Sequence, residues 1–289
     1  MRVAVVGAGL MGAQIGVEYA LGGHEVSFLV RRAPEAQRRI ESALSLLARH
    51  KLRGPAEIEA SRTLISTTIA PGEAANGARV IVESLPEELD LKATVLLTTL
   101  PAASPDAIVA TNTSSLSITA LGAAIGAPER TIGTHYLNPP LLMPPVEIVA
   151  GDQTSSRTVA FARDTVAALG KMPILVRRDV PGFVWNRLQF ALVRECAWLV
   201  EHGVATPEDV DAVVREGLAR RWRHVGPLRA IALGGVETWN RSGRNIVPEL
   251  SLASELPDLD RVAIVDGDLA ADAEARDAAL ARELRDSAS

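Results

Sequence analysis

The chain has 289 residues, 47% of them apolar and 22% charged, which excludes a disordered or collagen-like chain and leaves one large domain or two moderate ones. Thirty basic against 35 acidic residues give a net charge of −5, which argues against a general nucleic-acid binder. The single Cys196 excludes an internal disulfide and fits a reducing compartment, and no apolar run reaches the ~18 residues of a membrane span, so a soluble, cytoplasmic protein with no membrane contact is expected.

Val3-Ala4-Val5-Val6 is a short apolar run ending in glycine and reads as a buried parallel strand. A helical pattern follows from Leu10 to Leu21 and stops at Gly22-Gly23. Val26–Val30 reads as a second strand, and Pro34 suits the start of a helix running to about Leu47 or His50. Further strands are expected at Leu64–Thr68, Arg79–Ser84, Ala107–Thr111, Thr131–Tyr136 and Val146–Val149, with helices near Glu87–Leu100 and Ser155–Leu169. Repeated strand–helix–strand segments predict a doubly wound α/β domain whose parallel sheet is covered on both faces. With only 4 Trp, 2 Tyr and 4 Phe, its core must be built from Ala, Val, Leu and Ile.

The pattern changes at Val180-Pro181-Gly182-Phe183, a turn followed by a long helical stretch from Val184 to His202. Thr206-Pro207-Glu208-Asp209 places an N-cap residue, a first-position Pro and two acids at the start of another helix. The boundary therefore falls near 178–181, dividing the chain into a domain of residues 1–179 and a smaller all-α domain of residues 180–289. Residues 270–289 are Ala- and charge-rich and read as a solvated helix or frayed tail.

Gly7-Ala8-Gly9-Leu10-Met11-Gly12 follows the first strand and opens the first helix, the context of a dinucleotide-binding turn. Gly7 permits the tight turn, Gly9 lets a pyrophosphate approach the backbone, and Gly12 lets helix and strand pack closely, with Leu10 and Met11 opening the helix toward the phosphates. The first domain is thus expected to be Rossmann-like and to bind NAD(P)(H). About 20 residues further on, where an acid would hold both adenosine ribose hydroxyls, stand Arg31 and Arg32, which favour a 2′-phosphate and hence NADP(H). Of the 30 basic residues only 51, 92 and 171 are Lys and 27 are Arg, so two solvated arginines in an Arg-rich chain are the competing reading.

Asn112-Thr113-Ser114-Ser115 lies at the carboxyl edge of the predicted sheet, where open α/β sheets bind ligands. Downstream come Gly133-Thr134-His135-Tyr136-Leu137-Asn138-Pro139-Pro140, then Met143-Pro144-Pro145-Val146-Glu147, then Pro181-Gly182-Phe183-Val184-Trp185-Asn186-Arg187. Together these segments resemble the L-3-hydroxyacyl-CoA dehydrogenase family, a broad group that also includes sugar-acid dehydrogenases and lambda-crystallins. The resemblance covers about residues 1 to 240. It implies His135 as catalytic acid/base, Glu147 as its charge partner, and Ser114 and Asn186 as contacts to the substrate oxygen. It also implies that Glu87, Lys92 and Asn138 face the cofactor cleft and that the protein is a homodimer paired through its α-domain. Asn112, at the sheet's carboxyl edge, is expected to join the cofactor site, and no metal is expected.

The chemistry agrees with that assignment. Oxidising a secondary alcohol needs a base of near-neutral pKa to take the hydroxyl proton while hydride leaves, a task suited to imidazole. Glu147 lies 12 residues beyond His135 in the next predicted strand, from which a carboxylate can fix the ring tautomer. A core histidine, a turn-capping serine and a helix-bound asparagine are the bland alternatives. The chain departs from the family pattern at Arg229, which replaces an acid in a Gly-Pro turn, at Ala232, and in lacking a glycine-rich C-terminal segment. These departures weaken a CoA-bound substrate more than the hydride chemistry. The substrate is therefore expected to be a 3-hydroxy group on a CoA or carrier-protein thioester or on a free acid, with a gulonate-type sugar acid as the alternative. A non-enzymatic crystallin-like or nucleotide-sensing protein is the reading from outside enzymology.

Overall fold

The computed structural model describes every residue except 257, 258, 260, 261, 265, 266 and 289, the last being the end of the expected tail. It divides into two compact units, one of Met1–Val184 with Ala270–Ser289 and one of Trp185–Leu269. Residues 270–289, grouped above with the α-domain, cluster instead with the first unit.

The first unit is built on eight strands: β1 (Arg2–Val6), β2 (Glu25–Leu29), β3 (Ile65–Thr68), β4 (Val80–Glu83), β5 (Ile108–Thr111), β6 (Thr131–Tyr136), β7 (Pro145–Ala150) and β8 (Met172–Val176). They form one sheet in the order β3-β2-β1-β4-β5-β6-β7-β8. The first six are parallel, as the strand–helix alternation predicts, but β7 turns back antiparallel to β6, and β8 pairs parallel to β7. A short connection from β6 to β7 leaves no room for a crossover helix, so the pair closes as a hairpin-like return. The antiparallel return and the eighth strand are both additions to the expected sheet.

Helices α1 (Leu10–Leu21), α2 (Ala33–Arg49), α3 (Pro55–Thr63), α4 (Pro71–Ala75), α5 (Leu89–Thr99), α6 (Ile118–Ala124) and α7 (Ser156–Ala168) complete the crossovers. Alternation along each strand sends its side chains to opposite faces. Val3, Val5, Val26, Phe28, Val80 and Val82 pack with Ile15, Tyr19, Leu44 and Val166 of α1, α2 and α7. Ala4, Val6, Ile81 and Val109 pack on the other face with Ala75, Leu96 and Leu121 of α4, α5 and α6. The small aliphatic core expected from the composition is therefore split into two layers by the sheet.

The second unit is helical. It comprises α8 (Trp185–Glu201), α9 (Pro207–Ala212), a π-helical stretch Val213–Ala219 leading into α10 (Arg220–Trp222), α11 (Pro227–Gly234) and α12 (Val236–Ile246). Thr206 caps α9 by accepting a hydrogen bond from the Asp209 N–H, as its position in the sequence predicts. The last helix, α13 (Leu269–Ala288), belongs largely to the first unit. Ala281 is fully buried in that unit's core with Leu280 and Leu284 beside it, Glu274 pairs with Arg49, and Arg285 donates to the His50 carbonyl. The expected solvated tail is in fact a packed helix, because three small or aliphatic residues on one face are enough to seat it. Among the described residues no helix is long and apolar enough to cross a membrane.

Candidate active site

In the sheet order, the strands that follow β1 in sequence lie on one side of it until β4 appears on the other, and the crevice at this reversal is where open α/β sheets take ligands. Gly7 leaves β1 at φ +100°, and a Cβ there would stand 2.6 Å from the Ser84 carbonyl oxygen at the end of β4. A Cβ on Gly12 would stand 2.0 Å from the Gly7 oxygen. Gly9 is different, because a Cβ added there meets nothing within 4 Å, so this backbone faces open space. The first turn of α1 contains no acid and no side chain caps it, leaving its N–H groups directed at that space. Arg39 reaches from α2 to donate to the Ala8 carbonyl at 3.2 Å, steadying the turn from behind. Two glycines required by close backbone approach, one facing open space, and uncapped helical N–H groups fit a dinucleotide pyrophosphate. Leu10 is exposed and Met11 half-buried at the mouth of this turn, while Arg31 and Arg32 are exposed between β2 and α2, with Arg32 at the N-cap of α2.

The carboxyl end of β4 carries a charged network with little exposure. Glu83 is fully buried and accepts from Lys92 Nζ on both oxygens, at 2.8 and 2.9 Å, and from the Thr111 hydroxyl and the Leu85 N–H. Lys92 is 1% exposed, also donates to the Leu85 carbonyl, and lies 3.3 Å from Glu87. Glu87 in turn accepts from the Thr113 hydroxyl, the Ser114 and Ser115 N–H groups and the Ser115 hydroxyl. Burial alone would raise the Glu87 pKa, but the Thr113 hydroxyl, the Lys92 charge and the two backbone donors outweigh it and hold the group at about 2. The network therefore fixes the turn that presents Ser114.

His135 and Glu147 are register partners on the antiparallel β6–β7 pair, so the pairing turns a sequence separation of 12 into direct opposition. His135 Nδ1 lies 2.7 Å from Glu147 Oε2, and Ser114 Oγ lies 3.2 Å from His135 Nε2. Both members of the pair are buried. Glu147 Oε1 accepts from the Val184 N–H at 2.9 Å, and the Phe183 ring meets the imidazole edge-on at 5.6 Å. A carboxylate on Nδ1 holds the neutral ring with its proton there, which leaves Nε2 as the basic atom beside the serine hydroxyl. This arrangement can take and return a proton.

Of the residues singled out from sequence, the structure gathers Ser114, His135, Glu147, Glu87 and Lys92 into one connected set. Lys92 does not open onto the crevice, since its ammonium is enclosed by Glu83 and the Leu85 carbonyl. Asn112 spends its side-chain oxygen on the Tyr136 N–H, tying β5 to β6. Asn138, joined to Pro139 by a cis peptide bond, is exposed at a cavity of about 240 Å³ that Leu10 and Gln14 also line. Asn186 is the second residue of α8, in the helical unit. Glu83 and Arg39 escaped sequence reasoning; the first is one acid at a strand end and the second one arginine among many. Among the described residues no group of three or more His, Cys, Asp or Glu side chains is placed to hold a metal ion.

Comparison with known proteins adds an independent line. Residues 2–180 match the family model described as 3-hydroxyacyl-CoA dehydrogenase, NAD binding domain, and residues 182–258 match its C-terminal domain. The chain is 36% identical over 251 residues to a 5-formyl-3-hydroxy-2-methylpyridine 4-carboxylate 5-dehydrogenase of Mesorhizobium japonicum, covering 86% of this chain and 81% of that protein. It is 37% identical over 240 residues to an L-carnitine dehydrogenase of Streptomyces coelicolor, covering 82% and 74%. A solved structure of a 5-formyl-3-hydroxy-2-methylpyridine 4-carboxylic acid 5-dehydrogenase, described as an NAD+ dependent dismutase, superposes with a TM-score of 0.86 at 31% identity over 98% of this chain and 97% of that one.

Proposed function

The chain belongs to the 3-hydroxyacyl-CoA dehydrogenase family, NAD-dependent oxidoreductases acting on CH–OH groups, and on that premise we propose that it interconverts a hydroxy acid and its oxo form with His135 as acid/base. The observation that carries the proposal is the string Ser114 Oγ, His135 Nε2, His135 Nδ1, Glu147. When bound, the nicotinamide supplies the hydride acceptor or donor. His135 removes the hydroxyl proton at Nε2, and Glu147 stabilises the imidazolium that results. Ser114 orients the substrate oxygen without competing for its proton. Glu87 and Lys92 act one step back, through the turn that carries Ser114.

A free hydroxy acid is the favoured substrate. Two relatives above 35% identity are named for a pyridine carboxylate and for carnitine, and Arg229 stands where the family resemblance expects an acid. An acyl thioester on CoA or a carrier protein is the second reading, favoured by the name of the matching family model. Arg31 and Arg32 support a preference for NADP(H) over NAD(H), because two exposed guanidinium groups beyond β2 suit a 2′-phosphate. The exposed leucines of the helical unit support a homodimer.

Nicotinamide absorbance followed over a panel of free hydroxy acids and CoA thioesters, with each cofactor, tests these readings together. Turnover only with thioesters would overturn the free-acid reading, and a larger kcat/KM with NADH would overturn the cofactor preference. His135→Ala should lower kcat by about 10²–10⁴-fold, the usual share of a general acid/base, while cofactor binding persists. Full activity in that variant would remove His135 from the mechanism.

A further inference from the structure

Lys171 lies far from the nucleotide turn in sequence and outside every motif, yet its side chain is only 6% exposed. It sits just beyond α7, where Gly170 at φ +80° closes the helix. The Gly170 N–H bonds the Ala167 carbonyl and the Lys171 N–H the Val166 carbonyl. This paired closure fixes where the lysine leaves the backbone. Its ammonium donates to the Pro140 carbonyl at 2.6 Å and the Met143 carbonyl at 3.2 Å, and pairs with Glu18 of α1 at 3.0 Å. One helical turn before Glu18, Gln14 Oε1 accepts from the Leu141 N–H. Burial raises the Glu18 pKa while the Lys171 charge pulls it back.

All of these ties converge on the loop of residues 137–144, which joins the strand of His135 to the strand of Glu147. The loop's own bonds are local, with the Leu142 and Met143 N–H groups both on the Pro139 carbonyl. Leu141 and Leu142 pack into the core, and among the described residues the loop's hydrogen bonds to the rest of the unit are those with Lys171, Gln14 and the Met172 N–H on the Pro144 carbonyl. Two of these lead to α1, the helix that begins at the nucleotide turn. A buried ion pair is seldom more stabilising than apolar residues of the same volume, so stability is a weak reason for this one to exist. Position is a better reason, because the pair joins the helix facing the cofactor to the loop that follows the base.

We propose that Lys171, held by Glu18 and assisted by Gln14, is a positioning residue for hydride transfer: it clamps the 137–144 loop to α1 and so fixes His135 relative to the nucleotide turn. The proposal rests on the role of His135 given above. The test compares Glu18→Leu/Lys171→Met, which replaces the pair by apolar side chains, with Gln14→Met, which removes one tie and no charge. In the double variant, unfolding should stay close to the parent, and hydrogen exchange at the Leu141–Met143 amides should quicken about tenfold. Its kcat should fall about tenfold, well inside the ~10²-fold cost of a 1 Å misplacement, with the dissociation constant of the reduced cofactor held within about twofold. Gln14→Met should show about threefold in kcat in the same pattern. Parental kcat and parental loop exchange in either folded variant would overturn the clamp, as would equal losses in kcat and cofactor affinity. If the double variant does not fold, Gln14→Met decides on the same criteria. Full activity in His135→Ala would instead sink the underlying reading, and loop exchange would still report on the clamp.

Discussion

The two units bury different things. The nucleotide-binding unit encloses not only its aliphatic layers but also charges, with Glu83 and Lys92 at 0 and 1% exposure and His135 against Glu147. In the helical unit Ala197, Val210 and Ala230 are buried while Leu228, Leu233 and Leu252 are 81, 67 and 86% exposed. Enclosed charge demands fixed partners, so the first unit is specified from within. Leu228 and Leu233 of α11 and Leu252 beyond α12 leave exposed apolar area of the kind that marks a contact surface. One unit encloses its charged groups and the other presents apolar side chains at its surface.

The largest test of that contrast is Lys92→Met. It strands a fully buried Glu83 and should cost about 3–5 kcal/mol of the first unit's stability, read by denaturant unfolding. A loss below ~1 kcal/mol would mean that the network is hydrated and that the contrast is overstated. Leu228→Asp/Leu233→Asp should weaken self-association by about 2 kcal/mol or more, moving the sedimentation profile from dimer to monomer without changing the unfolding of the first unit. A parent protein that sediments as a monomer would break this side of the comparison. Glu87 should give the smallest effect. Its folded pKa of about 2 lies below the ordinary 4.5, so its contribution is complete above pH 4.5 and is lost as pH falls toward 2. Because the side chain is 36% exposed, solvent screening keeps that contribution below ~1 kcal/mol. Glu87→Gln should flatten the stability profile between pH 4.5 and 2, and an unchanged slope there would show that other carboxylates carry it.

What could be read from sequence followed from local rules. Apolar runs gave β1, β2, β4, β5 and β6, and the glycine spacing gave the turn, because each depends on a few neighbouring residues. Expecting His135 and Glu147 on neighbouring strands required only two adjacent strand patterns. The eighth strand was hidden by Pro173, which counts against a strand inside an apolar run except at a sheet edge, and the edge is where β8 lies. The packing of α13 was hidden because Ala281, its most buried residue, carries no strong apolar signal. Lys171 gave no signal because two of its three partners are backbone carbonyls, which have no residue identity. Lys92 was readable as a single residue but its pairing with Glu83 was not, since only the helix following β4 brings the two together.

The return of α13 to the first unit has a consequence for how the chain is made. Residues 185–269 emerge from the ribosome between two parts of the same unit, so the nucleotide-binding unit lacks α13 while they are being synthesised. Until α13 arrives, Arg49 and the His50 carbonyl at the end of α2 lack Glu274 and Arg285, and the core lacks Ala281. Insertion of one unit inside another thus makes the order of synthesis differ from the order of packing. The cofactor unit begins first and is completed last.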